Sequence, residues 1–121
     1  MDSYKELKVW RLGMQIVSKV YHLTRGFPDD ERFGLTSQMR RCAVSVPSNI
    51  AEGHARGATK DMIRFLAIAR GSLAELETQL ILAQHLGMAT KEAIEAISKM
   101  TDEEGRMISG LRRSLRRRLK E

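Results

Sequence analysis

Apolar residues recur three and four positions apart along four stretches of this chain, and glycine and proline punctuate the gaps between them. That spacing is the period of an α-helix with one buried face, so the chain is read as four amphipathic helices that must shelter one another. The first stripe, Leu7, Trp10, Met14, Val17 and Tyr21, is widened by Val9, Ile16, Val20 and Leu23. Gly26 suits a left-handed residue after the last turn, and Pro28 cannot extend the helix. The second stripe runs from Leu35 through Met39, Cys42, Val46 and Ile50 to Gly53, with Pro47 inside it. A proline there removes one backbone hydrogen bond and crowds the preceding turn, so a continuous helix bent near residues 43–46 is expected.

Gly53 to Ala58 reads as a short loop, with Thr59 as N-cap and Asp61 favouring the first turn of a third helix. Its inward residues are Met62, Leu66, Ala69, Leu73, Leu76, Leu80 and Ala83, and Gly87 closes it. Thr90 opens a fourth helix whose seam is Ile94, Ile97, Met107, Ile108, Leu111, Leu115 and Leu119, with Gly105 and Gly110 weakening its middle. The expected helices cover about residues 5–25, 33–53, 59–86 and 90–119 of a single domain, 1–121. Short connections make sequential neighbours antiparallel, which predicts an all-α, up-down four-helix bundle.

Composition narrows the function classes. A length of 121 residues supports one core, and two prolines with few β-branched runs leave little material for strands. No apolar run reaches the length of a membrane span, and the N-terminus lacks the basic-then-apolar order of a signal peptide. The lone Cys42 excludes an intramolecular disulfide and suits a reducing compartment, so a cytoplasmic location is expected. The net charge of +6 is unevenly placed: residues 106–121 carry seven basic residues and one acidic, while residues 1–105 carry 14 of each. The excess at one end points to a polyanionic partner, or to cations that complement a helix dipole.

Two segments carry a resemblance. Gln38-Met39-Arg40-Arg41-Cys42-Ala43-Val44-Ser45-Val46-Pro47-Ser48-Asn49-Ile50-Ala51-Glu52-Gly53, preceded by Phe27-Pro28 and Gly34-Leu35-Thr36-Ser37, and then Gly71-Ser72-Leu73-Ala74-Glu75-Leu76-Glu77, resemble the four helix bundle proteins also called 23S ribosomal RNA intervening-sequence proteins. The likeness spans nearly the whole chain. It implies a bacterial antiparallel bundle assembling as a homopentamer. A more distant resemblance links the family to accessory proteins of diversity-generating retroelements, which bind nucleic acid. The resemblance implies no settled activity, and the Arg-rich C-terminal end departs from it.

The candidate nucleic-acid-binding residues are Arg106, Arg112, Arg113, Arg116, Arg117, Arg118 and Lys120. Arg112, Arg113, Arg116, Arg117 and Lys120 recur at helical spacing opposite Leu111, Leu115 and Leu119 and form a cationic ridge suited to phosphates. In a pentamer five such ridges would act together on one polyanion. With no aromatic residue after Phe65, neither membrane anchoring nor base stacking is supported, so phosphate contact with weak base selectivity is expected. A solvated helix end is the plainer reading. A protein scaffold or adaptor with no nucleic-acid role is the alternative function.

Gln38, Arg41, Ser45, Ser48, Asn49 and Glu52 form a polar strip on the second helix, interrupted by Pro47 and ending at Gly53. Counting back from the turn brings Ser45 near Gly71 and Ser72, and Arg41 near Glu75. Small residues there are expected to permit close helix approach, and Arg41 and Glu75 to form an ion pair. Trp10, Tyr21 and Phe65 are expected as core or interface anchors. An enzyme is not expected. His22, His54 and His85 are scattered, Glu-x-x-His is absent, and the glycines at 53 and 57 lack the lysine of a phosphate loop. His54 beside Glu52 is an acid-base pair at most, and no cofactor or metal is implied.

Overall fold

The computed structural model describes residues 3–120. Four helices, α1 (Lys8–Thr24), α2 (Leu35–Ala55), α3 (Thr59–His85) and α4 (Lys91–Lys120), follow short 3-10 turns at Tyr4–Glu6 and Asp29–Glu31, with no strand among the described residues. Helices adjacent in sequence pack on one another, and α1 closes the ring on α4, while the diagonal pairs have no close backbone approach among the described residues. Side-chain pairs fix the directions. Ser45 faces Ser72 and Cys42 faces Gln79, so α2 and α3 run antiparallel; Arg112 reaches Ile63, so α3 and α4 do as well. The architecture is the up-down bundle that the periodicity predicts.

Helix ends follow local chemistry. The acidic turn after Pro28 serves α2: Glu31 Oε1 accepts the Leu35 N–H at 3.0 Å, filling one of the vacant donors of a helix start. Thr90 Oγ1 accepts the Ala93 N–H at 3.2 Å and caps α4 as expected. Three local expectations are corrected. Thr59 is the first residue of α3, after Ala58, and its side chain makes no cap. Gly26 is not left-handed; the chain leaves α1 through tight turns that bury Phe27, and the positive-φ glycines are Gly57 and Gly87. Gly53 is not in a loop, because α2 continues to Ala55.

All four helices contribute to the core, and α2 and α3 supply most of it. Met39, Val46, Ile50, Leu66, Leu73, Leu76 and Leu80 have no exposed surface; each such aliphatic side chain stabilises the fold by roughly 1.5–3 kcal/mol. On α1 the buried face is rotated from the expected one. Val9, Gly13, Ile16, Val20 and Thr24 point inward, while Met14 and Tyr21 stand 43% and 36% exposed. Two overlapping three-four series exist on this helix, and the choice fell to the one holding Gly13 and Thr24, where α1 meets its neighbours. Thr24 is no liability there, since its hydroxyl donates to the Val20 carbonyl and accepts from Arg40 Nε.

Gly13 explains the middle of the bundle. A Cβ at position 13 would stand 2.9 Å from Glu104 Oε2 and 3.4 Å from Pro47 Cβ. Helix α2 runs unbroken through Pro47, whose ring is buried against α1. Glu104 continues the α4 seam between Thr101 and Ile108 and is fully buried. Neither carboxyl oxygen has a hydrogen-bond partner among the described residues. Burial, with the Glu103 charge as a second cause, pushes its pKa up to about 8. Glu104 is therefore a neutral acid at pH 7, since an unpaired carboxylate there would carry the full cost of lost hydration.

Candidate nucleic-acid interface

The cationic end of the chain is helical through Lys120, and tertiary packing divides it into two parts. Up to Leu115, α4 lies on α3. Arg112 is half-buried and its Nε donates to the Ile63 carbonyl at 3.3 Å. Leu115 is buried in the recess beside Gly53, Thr59 and Met62. Pairing residue 112 with residue 63 in antiparallel register sets residue 116 opposite the start of α3, so later residues have no α3 residue across from them. All described residues after Leu115 are exposed, Leu119 included at 47%, which removes it from the seam.

Of the seven cations expected to meet nucleic acid, Arg112 is tied to the α3 backbone, and the ridge therefore begins at Arg113. Arg106, Arg113, Arg116, Arg117, Arg118 and Lys120 are exposed. None has a carboxylate partner within 4.0 Å among the described residues. Arg118 sits against the α2–α3 connection near His54 and Gly57. Arg106 and Arg113 instead face an α3–α4 groove shared with Arg70 and Ser109. Neither Arg70 nor Ser109 stands out in the sequence; the signal for them is the antiparallel register, which places residue 70 beside residue 105.

The polar strip of the resemblance assembles as a second groove, between α2 and α3. Gln38, Arg41, Cys42, Ser45, Ser72, Glu75 and Gln79 line it. Ser45 and Ser72 are hydrogen-bonded at 2.8 Å, as counting from the turn predicts, and Asn49 Nδ2 donates to the Ser45 carbonyl and hydroxyl. The expected Arg41–Glu75 ion pair is not formed. Both side chains are exposed on the groove walls, and Glu75 accepts instead from the Cys42 thiol at 3.7 Å. Burial pushes that thiol's pKa up, with the Gln79 hydrogen bond opposing it. A thiol held protonated is a poor nucleophile.

The remaining strip residues have separate structural duties. Ser48 is exposed, Glu52 pairs with Arg56 at 2.9 Å, and Gly53 lets Phe65 and Met62 approach α2. Gly71 is exposed with nothing within 4 Å of where a Cβ would stand, so it does not mediate close approach within the chain. Phe65 is a core anchor, and Trp10 is half-buried edge-on to Tyr4. Tyr21 lies on the surface beneath the Arg40 guanidinium. Among the described residues no three His, Cys, Asp or Glu side chains lie close enough to hold a metal ion. No described helix is long and apolar enough to cross a membrane.

A model of the 23S rRNA-intervening sequence protein family matches residues 5–110, most of the chain. The chain belongs to this family. A similar solved structure is that of a protein with unknown function from the S23 ribosomal protein family of Bacteroides thetaiotaomicron. The two share 22% identity over 85% of this chain and 96% of that one, with a TM-score of 0.76. At that identity the likeness shows the fold. A search of curated proteins gives no match. The family match ends at residue 110, which leaves Arg112 to Lys120 outside it. The strip from Gln38 to Gly53 lies inside the matched region, whereas most of the cationic end lies beyond it.

Proposed function

We propose that this family member is a non-enzymatic, oligomeric bundle protein of the cytoplasm that associates with nucleic acid through the basic end of α4. It contacts phosphates with little base selectivity. The observation that carries this reading is the row of exposed cations from Arg113 to Lys120, unpaired with any described carboxylate and partly beyond the end of α3. Cations already neutralised within the protein release no counterions from a polyanion; these are not so neutralised.

Assembly into a homo-oligomer, with the pentamer implied by the family resemblance, is supported by the outer side of α3. Ile68, Ile81 and Leu82 are 45%, 53% and 43% exposed there, on the face that also holds Gly71. Exposed apolar groups along the outer side of one helix suit a protein contact. The same face supports the second reading, an adaptor for another protein.

Anisotropy of labelled mixed-sequence RNA and DNA across a salt series separates the two. The quartet Arg116→Gln, Arg117→Gln, Arg118→Gln and Lys120→Gln is preferable to truncation, because Arg112 and Leu115 hold α4 to α3. The expected result is weaker binding on every sequence and a salt slope lowered by about 0.9 for each phosphate no longer neutralised. Absent binding, or binding that ignores salt, refutes the nucleic-acid role and leaves the adaptor; binding that the quartet leaves unchanged removes residues 116–120 from the contact.

A further inference from the structure

The groove between α3 and α4 collects three guanidinium groups, one of which, that of Arg70, is held in place by packing and an ion pair. Arg70 of α3 lies across α4 at Gly105, where a Cβ would stand 3.3 Å from its Cζ and 3.4 Å from its Nε and Nη2. Its Nη1 donates to Glu77 Oε1 at 3.2 Å, two turns further along α3. An arginine has five N–H donors, and this is the one side-chain hydrogen bond Arg70 makes among the described residues. Arg106 and Arg113 are seven residues apart, two turns along the same side of α4, with Ser109 between them. The Arg113 Nη2 lies 3.8 Å from the Cβ position of Gly110, so this side chain folds back along the helix.

The two glycines have a common meaning. A glycine inside a helix costs about 1 kcal/mol relative to alanine, and α4 carries two within six residues. At Gly105 the space gained is occupied by Arg70, and beside Gly110 lies Arg113. The result is an open cavity of about 420 Å³ with Arg70, Arg106, Arg113 and Ser109 on its walls, flanked by Glu77 and Asp102. The carboxylates offset part of the charge. Glu77 is engaged by Arg70, and the groove keeps one more positive group than negative.

We propose that this groove is a phosphate-binding site, in which Arg106 and Arg113 clasp one phosphate or phosphodiester group, Ser109 donates its hydroxyl and Arg70 forms the floor. Planar guanidinium forks match phosphate oxygens two at a time, and fixing Arg70 beforehand lowers the ordering cost of binding. As a nucleic-acid contact the site rests on the function proposed above, and it adds a defined pocket to a diffuse cationic end. It also makes Arg106 and Arg113 unequal to Arg116 and Arg117, although all four are exposed cations of one helix.

The test uses the full chain in four forms: wild type, Arg106→Gln/Arg113→Gln, the charge-matched Arg116→Gln/Arg117→Gln, and Gly105→Ala, whose methyl crowds the Arg70 guanidinium. Thermal unfolding checks that each is folded. Two ligands are titrated, a short mixed-sequence RNA and inorganic phosphate, the latter read by backbone amide shifts of residues 105–113. The expected result is an affinity loss in the groove pair about tenfold larger than in the matched pair, for a charged hydrogen-bond contribution of this size, and a loss in Gly105→Ala without any change of charge. Equal losses in the two pairs, with phosphate shifts absent, overturn the groove while the nucleic-acid reading stands. Phosphate shifts that vanish in the groove pair, with no RNA bound by any form, keep the site as a small-anion pocket and refute the nucleic-acid reading.

Discussion

Replacing Glu104 by glutamine tests the least expected residue of the core. The carboxyl is fully buried between α1 and α2, without a hydrogen-bond partner among the described residues, and burial raises its pKa from 4.5 to about 8. Between those values the folded chain holds a proton that the unfolded chain has released. Stability is therefore greatest below the unfolded value, falls as pH rises through the interval, and levels off above the folded value. At about 1.4 kcal/mol per pH unit, the wild type loses roughly 3–4 kcal/mol between pH 5 and pH 8 through this group alone. Glu104→Gln keeps the shape and removes the titration. Its buried amide brings a cost of about 1–3 kcal/mol for unpaired donors, and that cost is the same at both pH values. Comparing the two proteins isolates the contribution of position 104, including its repulsion with Glu103. Urea unfolding followed by helical circular dichroism should show the variant gaining roughly 3–4 kcal/mol on the wild type from pH 5 to pH 8. Parallel pH profiles would falsify this account, since they mean that the carboxyl is hydrated or paired in solution.

The glycines supply the remaining predictions. Gly13→Ala drives a methyl against Glu104 Oε2 at 2.9 Å and Pro47 at 3.4 Å; despite a helix-propensity gain of about 1 kcal/mol it should lower stability by roughly 1–3 kcal/mol, read by urea midpoint. Gly53→Ala meets Phe65 Cβ at 2.7 Å and should lower the melting temperature, whereas Gly71→Ala meets nothing within 4 Å and should raise stability by about 1 kcal/mol. Similar effects from the two would contradict the packing, and a loss at Gly71 would reveal another molecule seated on the outer side of α3.

The apolar period determined the number of helices, their direction and nearly all of the α3 seam, because burial of one stripe per helix is a local property that a sequence displays. The Ser45–Ser72 contact was legible for the same reason, as antiparallel register is counting from a short turn. The α1 face was not. The buried stripe, with Gly13 and Thr24 in it, is the less apolar of two overlapping ones, and Gly13 matters through its missing side chain, which admits Glu104 of α4 and Pro47 of α2. Glu104 itself left a trace, the gap between Ile97 and Met107 in the expected seam, but a charged residue is assigned to solvent until a neighbour is known.

At the candidate sites the division is similar. Charge placement along the chain marked residues 106–120 as cationic, which composition alone can do. Which cations are free to bind depends on α3: it ties down Arg112, contributes Arg70 and ends opposite residue 116. Arg41 and Glu75 were correctly brought to one groove, yet both remain exposed there and form no ion pair, since a surface pair gains too little to hold two long side chains together. Helix identity is thus written within each segment, whereas the availability of a side chain for binding is settled by what the next helix places beside it.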